Sequence, residues 1–246
     1  MHTGVSLLPC GRCSDHGTKC RPFEGQPQAE FRGLPVRGYW KPRELLFRAG
    51  EPLGPVFKIT EGIAALFDML PDGRRQLIKL LWSGALCGYL SENGRYSFEG
   101  EALTNVHACS FARDSFDSSV AHDPAFAAAL RREMSEVFEE FGRHMTTLGQ
   151  LDSVERVADF LLDMQRALAS DIHTLPIRLP IKRRQMANYL GLRAETVSRA
   201  FSELLLRRLI VLEGDVVTII DLAGLAVSAG RSASQDAQAY SAVVNQ

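Results

Sequence analysis

The spacing of apolar residues changes once along this chain, at Asp123-Pro124, and that change limits the folds open to it. From Gly38 to about Phe116, apolar residues occur in short runs separated by turn sequences such as Pro71-Asp72-Gly73. Closely spaced strands with such turns favour an antiparallel roll or barrel. After Asp123-Pro124 the spacing becomes helical. The sequence therefore predicts an α+β fold, in which an N-terminal antiparallel β-roll is followed by a long helix.

Seven positions of the helical stretch repeat at heptad spacing. They are Leu130, Met134, Val137, Phe141, His144, Leu148 and Leu151. All but His144 are apolar, and such a seam is typical of a helix that pairs with its own copy along a molecular twofold. The alternative is a helix packed on its own β-roll, which needs a broader apolar stripe. We expect residues 123–151 to be the dimerisation helix of a homodimer.

The residues after the long helix have the layout of a winged helix-turn-helix. Residues 183–190 are predicted to form a short helix, Gly191-Leu192-Arg193 a tight turn, and residues 194–206 a second helix. The strand-forming residues 209–221 turn at Glu213-Gly214-Asp215 and complete the wing. This arrangement predicts a DNA-binding domain.

The whole chain is almost neutral, with 28 Lys and Arg against 29 Asp and Glu. Its positive charge is concentrated between Arg178 and Arg208, where eight Lys or Arg stand against two Glu, a local balance of +6. Attraction to DNA phosphates requires such segregation, which predicts salt-dependent binding. The alternative is a basic helix face that is only solvated.

Four polar residues lie in the opening turns of the second helix, where a recognition helix meets base edges: Glu195, Thr196, Ser198 and Arg199. A carboxylate accepts from the cytosine amino group, a guanidinium donates two bonds to guanine, and a hydroxyl serves either way. Glu195 and Arg199 are also four residues apart, and a surface ion pair between them would contribute only about 0.3–0.5 kcal/mol. The two interpretations are compatible, because the pair can orient Arg199 before DNA binds.

Three basic residues of this segment are expected to contact DNA from flanking positions. Lys182 and Arg193 occupy sites where Ser or Thr usually caps each helix, and their presence costs about 1 kcal/mol of helix stability. We interpret both side chains as phosphate ligands whose binding to DNA offsets this cost. Arg184, from the same basic segment, is a further candidate contact.

The order of these parts, together with the stretch GLRAETVSRAFSEL at residues 191–204, resembles the Crp/Fnr family of transcription regulators from about residue 8 to 225. The spacing of Glu195, Ser198 and Arg199 resembles the Fnr branch. The resemblance implies a β-roll like that of cyclic-nucleotide-binding domains. It also implies a homodimer that binds double-stranded DNA at inverted repeats related to TTGAT-N4-ATCAA and contacts RNA polymerase.

The resemblance also bears on the ligand of the β-roll. Family members that bind a cyclic nucleotide carry a Gly-Glu pair and an Arg-Ser or Arg-Thr pair around the phosphate. The corresponding stretches here are Gly88-Tyr89 and Ser97-Phe98-Glu99-Gly100. Both the carboxylate and the guanidinium are missing, and Glu99 would repel the anion. We therefore expect no cyclic nucleotide as a ligand.

Three of the five cysteines, Cys10, Cys13 and Cys20, lie within eleven residues that have no apolar period. Three thiols placed in this way predict a site with a missing fourth ligand. The group resembles the Fnr-type cysteine cluster, including its ending Cys20-Arg21-Pro22-Phe23, and in that branch a fourth cysteine lies on a late strand of the roll. The resemblance implies that Cys109 is the fourth residue and that the set binds a [4Fe-4S] cluster.

Other assignments of the cysteines stay open from the residues themselves. Zinc sites with four thiolates, or with three thiolates and an imidazole, are at least as common, and His16 lies within the loop. Cys87 is expected to be a buried strand residue and is the reserve candidate for the fourth ligand. The alternative function is a zinc-stabilised or cluster-free dimeric binding module that responds to another ligand.

Several protein classes are not expected. The sequence has no apolar run long enough to span a bilayer and no secretory signal at its start, and its odd number of cysteines fits a reducing compartment. These features predict a cytoplasmic protein with no membrane partner. The sequence also has no Ser/His/Asp set, phosphate loop or carboxylate pair that would indicate an enzyme.

These predictions divide the chain into five segments. They are a cysteine-rich N-terminal segment (1–30), a β-roll sensor domain (31–122), the dimerisation helix (123–151), a winged helix-turn-helix DNA-binding domain (152–227) and a tail (228–246). In a regulator of this kind, loss of the cluster in oxygen would release the N-terminal segment from the roll and shift helix pairing. That shift would change how two recognition helices meet DNA.

Overall fold

A computed structural model describes residues 35–89, 91, 93–168 and 176–231. The chain divides into two compact units, Met1–Glu140 and Phe141–Gln246. The predicted cysteine-rich segment, with Cys10, Cys13 and Cys20, lies outside the described residues, as do residues 232–246 of the tail. Over the described ranges, no helix combines the length and the hydropathy needed to cross a bilayer.

The described part of the first unit contains eight strands. They are β1 (Val36–Trp40), β2 (Leu45–Phe47), β3 (Val56–Glu61), β4 (Ala64–Met69), β5 (Arg75–Leu81), β6 (Leu86–Cys87), β7 (Glu99–Ala102) and β8 (Val106–Phe111). They pair antiparallel in two four-stranded sheets, in the orders β1-β8-β3-β6 and β2-β7-β4-β5. The predicted antiparallel β-roll is confirmed.

Aromatic side chains from both sheets pack into one core between them. Phe47 on β2 stacks on Tyr96 and on Phe57 of β3, with ring centroids 4.5 and 5.7 Å apart. Gly100 on β7 allows this packing, because a Cβ added there would stand 2.6 Å from the Phe47 ring. Strand alternation turns the other side chains of sheet β1-β8-β3-β6 away from this core. We call that second surface the helix-facing side, because it packs against the helices that follow.

Two helices complete the first unit and lead out of it: α1 (Arg113–His122) and α2 (Pro124–Gln150). The Asp123 carboxylate accepts from two backbone N–H groups in the first turn of α2, at 2.9 and 3.1 Å, and Pro124 takes the first helical position. Phe126 meets Phe116 of α1 edge to face, with centroids 5.3 Å apart. Both rings, with Leu130, are buried on the helix-facing side of the sheet. The first turns of α2 are therefore anchored on the roll.

The second unit begins with the last turns of α2. It continues with α3 (Ser153–Leu168), β9 (Ile177–Arg178), α4 (Arg183–Tyr189), α5 (Ala194–Leu206), β10 (Ile210–Glu213), β11 (Val216–Ile219) and α6 (Leu222–Ser228). The three strands form an antiparallel sheet in the order β10-β11-β9. Met186 and Leu190 near α4, and Val197 and Phe201 of α5, are buried together in the core of this unit. The predicted winged helix-turn-helix is confirmed, and α6 is an addition that the sequence pattern did not indicate.

Candidate nucleic-acid interface and cysteine site

Helix α5 exposes the residues predicted to meet base edges. Glu195, Ser198 and Arg199 are exposed and Thr196 is half-buried, whereas Val197 is fully buried on the opposite side. Within the described residues, Glu195 and Arg199 take part in no ion pair, so both charged groups are open to solvent. The Ser198 hydroxyl donates to the backbone carbonyl one turn earlier, at 3.1 Å. The exposed face of α5 therefore carries donors and acceptors suited to base edges.

The eight basic residues of this segment fall into two groups. Arg183 lies over the ring of Phe201, with 3.3 Å from the guanidinium carbon to the ring centroid. Arg178 and Arg207 are in ion pairs with carboxylates, at 3.0 and 2.9 Å. The other five are exposed and, among described residues, have no ion pair. These five are Lys182, Arg184, Arg193, Arg199 and Arg208. They carry the charge that can attract DNA.

Lys182 and Arg193 do hold the predicted cap positions of α4 and α5, and neither side chain caps its helix. Ammonium and guanidinium groups have no lone pair with which to accept from a backbone N–H. At α4 the side-chain oxygen of Gln185 accepts from the backbone N–H of Lys182 instead, at 2.9 Å. Both basic side chains therefore extend from helix N-termini that have no side-chain cap of the usual kind, which suits phosphate contact.

One guanidinium ties the end of α2 to the end of α4 inside the second unit. Arg156 on α3 donates to the carbonyl oxygens of Leu148, Leu151 and Leu190, at 2.7, 2.9 and 3.0 Å. The last carbonyls of a helix have no partner within it, and a cation there also meets the negative end of the helix dipole. Arg156 thus satisfies two elements at once and fixes their relative position.

The seven predicted seam positions of α2 differ in their surroundings. Leu130 is buried against the roll, and His144 stacks on Tyr189 of α4. Burial lowers the pKa of His144, against an opposing hydrogen bond with the Tyr189 backbone. Met134 is 40% exposed. The remaining four, Val137, Phe141, Leu148 and Leu151, are half-buried. Several of these side chains therefore serve their own chain, and the dimer seam stays a prediction.

Two strongly exposed apolar side chains of α2 were missed by the sequence reasoning. Phe138 is 80% exposed and Met145 is 72% exposed. A heptad count that starts at Met134 and alternates steps of four and three passes through Phe138 and Met145 as well as Phe141. That register was available in the sequence, but the apolar Leu130 fits only the other one.

Cys87 and Cys109 lie on opposite faces of the same sheet. Cys87 on β6 is 2% exposed in the core between the sheets, opposite Phe57, and burial raises its pKa to about 12. Cys109 on β8 is 6% exposed and lies on the helix-facing side, in one core with Phe111 and Leu130. Over the described residues, no group of three or more His, Cys, Asp or Glu is arranged to hold a metal ion.

The Gly88-Tyr89 stretch is held by a residue of the same unit. Arg113, at the start of α1, donates to the carbonyl oxygens of Gly88 and Tyr89, at 2.5 and 3.4 Å. Burial and the neighbouring carboxylate of Glu133 raise the pKa of the Tyr89 phenol. The carbonyls of this turn are thus occupied by Arg113, and the carboxylate of Glu133 lies near the Tyr89 phenol.

Two family models match the chain, one in each half. Residues 37–123 match the cyclic nucleotide-binding domain, and residues 155–227 match the Crp-like helix-turn-helix domain. The first match covers the roll with α1, and the second covers the helix-turn-helix with its wing.

Curated relatives and a solved structure agree with these matches. The transcriptional activatory protein AadR of Rhodopseudomonas palustris is 34% identical over 197 residues, which cover 78% of this chain and 80% of the relative. The transcriptional activator protein Anr of Pseudomonas aeruginosa is 31% identical, with 92% of this chain and 96% of the relative covered. The structure of FixK2 from Bradyrhizobium japonicum superposes with a TM-score of 0.72 at 28% identity, and covers 78% of this chain and 96% of that one.

Proposed function

Because this chain belongs to the Crp/Fnr family of transcription regulators, we propose that it is an oxygen-responsive member of the Fnr type. Like its relatives it is a DNA-binding transcription regulator and not an enzyme. In this proposal two copies pair through α2 and bind inverted repeats related to TTGAT-N4-ATCAA. Cys10, Cys13, Cys20 and Cys109 hold a [4Fe-4S] cluster, and RNA polymerase is the partner at the promoter.

Support for sequence-specific DNA binding comes from the surface of α5. Glu195, Ser198 and Arg199 are exposed together at its start, and the buried Val197 fixes which side of the helix faces away from the core. A recognition helix enters the major groove with its N-terminal residues towards the bases. The exposed basic residues outside α5, such as Lys182 and Arg184, then lie where a helix-turn-helix meets the DNA backbone.

The observation that carries the choice of Cys109 is the opposite orientation of the two described cysteines. Cys87 faces the core between the sheets, where a thiol with a pKa near 12 is a poor metal ligand. Cys109 lies on the helix-facing side of the sheet, in the same core as Leu130 of α2. When bound, the cluster would supply an oxygen-labile link between the N-terminal cysteines and β8. The core around Cys109 would then pass a change at β8 to the start of α2.

The surroundings of the Gly88-Tyr89 turn support the proposal that no cyclic nucleotide binds. Arg113 occupies the turn carbonyls, and Glu133 lies near the Tyr89 phenol. A phosphate placed here would find the Arg113 guanidinium already engaged by the turn carbonyls and the Glu133 carboxylate close by. The match of residues 37–123 to the cyclic nucleotide-binding domain then reflects the shared fold of the roll.

The proposal is tested by anaerobic purification followed by iron, sulfide and zinc analysis. We expect iron and sulfide in the wild type and in Cys87→Ser, and neither in Cys109→Ser. Anaerobic protein should bind a duplex carrying TTGAT-N4-ATCAA more tightly than protein exposed to air. Stoichiometric zinc in place of iron would instead support the zinc-stabilised module, and loss of iron in Cys87→Ser but not in Cys109→Ser would overturn the choice of ligand.

A further inference from the structure

Two basic residues lie directly opposite Cys109, one on each neighbouring strand. In the β1-β8 pair Arg37 is the register partner of Cys109, and in the β3-β8 pair its partner is Lys58. Directly opposed residues of antiparallel strands project to the same face of the sheet, with Cβ atoms about 4.5–5.5 Å apart. Arg37 and Lys58 therefore flank Cys109 on the helix-facing side.

The neighbours confirm which face these residues share. Tyr39, two residues after Arg37, packs against His107, two residues before Cys109, with ring centroids 5.0 Å apart. Val56, two residues before Lys58, is buried in the same core as Cys109. Each pair obeys the two-residue alternation of a strand. The row Arg37, Cys109, Lys58 thus runs across three adjacent strands.

Both basic side chains carry polar atoms that are buried, which is unusual for lysine and arginine. Lys58 is 2% exposed, although a lysine is almost never fully buried without an anionic partner, and Glu133 on α2 is the carboxylate near it. The Nε atom of Arg37 is excluded from solvent and has no hydrogen-bond partner among the residues that the structure describes. A buried N–H donor without a partner costs about 1–3 kcal/mol. A hydrogen-bond acceptor bound beside Cys109 would remove this cost.

We propose that Arg37, supported by Lys58, is a positioning residue for the anionic centre bound at Cys109. This inference rests on the proposed function, since an iron-sulfur cluster with four thiolate ligands is an anion. The potential of such a centre depends on its net charge and on hydrogen bonds to its sulfurs. Arg37 supplies both a positive charge and an N–H donor at the register position next to the ligand thiolate. The proposed fourth ligand, Cys109, thus lies between two basic residues on the neighbouring strands.

The experiment compares cluster-loaded wild type with Arg37→Gln, Arg37→Lys and a matched control, Arg74→Gln. Arg74 lies in the turn between β4 and β5, where its side chain is 77% exposed and paired with Asp72. The measurements are the midpoint potential of the cluster and the rate at which its visible absorption is lost in air, both per cluster loaded. Thermal unfolding of the cluster-free proteins reports on folding.

We expect Arg37→Gln to lower the midpoint potential of the cluster. The visible absorption of the cluster should also disappear in air several-fold faster than in wild type, because removal of a positive charge makes an anionic centre easier to oxidise. Arg37→Lys should recover most of both properties, and Arg74→Gln should match wild type. If Arg37→Gln loads no cluster, Arg37→Lys must load one. Wild-type behaviour of Arg37→Gln, or failure of a folded Arg37→Lys to load, overturns the inference. Absence of iron and sulfide from wild type itself overturns the proposed function.

Discussion

The imidazole of His144 on α2 lies flat against the phenol ring of Tyr189 on α4, with centroids 4.2 Å apart and planes inclined by 15°. Burial lowers the pKa of His144, with Asp163 and Arg156 as the nearby charges. Unfolding returns the ring to its ordinary pKa of about 6.5, so the unfolded chain binds the proton at a higher pH than the folded one. The contribution of this stack is therefore fully present above about pH 6.5 and is lost as the pH falls below it.

Urea unfolding of wild type and His144→Gln, followed from about pH 7.5 to pH 5.5, measures this effect within the range where histidine titrates. The wild type should lose stability over this interval by more than the variant does. Thr146→Ala, an exposed change on the same helix, is the control. Parallel pH profiles for wild type and His144→Gln would contradict the prediction.

The burial of Cys87 predicts that its thiol is inert in the folded protein. Alkylation requires the thiolate, and a pKa of about 12 leaves almost none at neutral pH. Mass spectrometry after iodoacetamide treatment should show Cys87 modified about a thousandfold more slowly in native than in urea-unfolded protein, because a rise of the thiol pKa from 9.0 to about 12 lowers the thiolate fraction by a factor of order 10³. Rapid native alkylation would show that the core between the sheets opens readily.

The two classes of DNA-facing residue should respond differently to substitution. In the proposed interface Arg199 contacts a base, so Arg199→Ala is expected to cost about 1–3 kcal/mol on the specific duplex while leaving non-specific binding nearly unchanged. Lys182 is proposed to contact a phosphate, so Lys182→Ala should weaken binding to all duplexes alike and reduce the slope of log K against log salt by about 1. Fluorescence anisotropy over a salt series distinguishes them.

Arg207→Ala is the matched control, because its guanidinium is paired with Glu203 at 2.9 Å. Its affinity and salt slope should stay close to wild type. An unchanged salt slope in Lys182→Ala would remove Lys182 from the interface, and a uniform loss in Arg199→Ala would make that residue a phosphate contact.

Phe138 is expected to be a central contact between two copies. Its side chain is 80% exposed in one chain, so Phe138→Ala should leave the stability of that chain nearly unchanged. Burial of a phenylalanine against a partner contributes about 1.5–3 kcal/mol, once for each copy, so the dimer should weaken markedly. Sedimentation velocity measures the change, and Glu139→Ala is the control. A dimer of wild-type affinity would assign pairing to another face of α2.

The apolar character of the exposed α2 side chains also predicts the behaviour in air. Met134, Phe138 and Met145 carry no charge that would drive two helices apart. If the proposed cluster is present in anaerobic protein, its loss in air should therefore leave the protein dimeric while lowering its affinity for DNA. Monomers in sedimentation of the air-exposed protein would contradict this expectation.

The helix-turn-helix could be predicted almost residue by residue because its information is local. The apolar residues Val197, Phe201 and Leu204 recur at helical spacing, and α5 begins at Ala194 and ends at Leu206, as expected. The surroundings of α2 could not be predicted in the same way. A heptad count treats every apolar position alike, whereas His144 meets Tyr189, a residue far along the chain that only the fold brings near.

The cysteine site likewise has one feature that the sequence could predict and others that depend on the fold. That Cys109 is a candidate ligand followed from a resemblance of sequence, but its orientation depends on strand register. The alternation of β8 is hard to read because Ala108 and Cys109 are both buried, one on each face. The neighbours Arg37 and Lys58 are distant in sequence, and only the pairing of β1 and β3 with β8 brings them beside the thiol.

The three hydrogen bonds of Arg156 determine how the DNA-binding half of this chain should be excised for separate study. A fragment that starts at residue 152 would leave the guanidinium with only the Leu190 carbonyl, since the Leu148 and Leu151 acceptors would be cut away. A fragment that starts at Phe141, where the second unit begins, keeps all three acceptors and the His144 ring. The final turns of α2 are thus an integral part of the DNA-binding unit, and a fragment without them is expected to be poorly ordered.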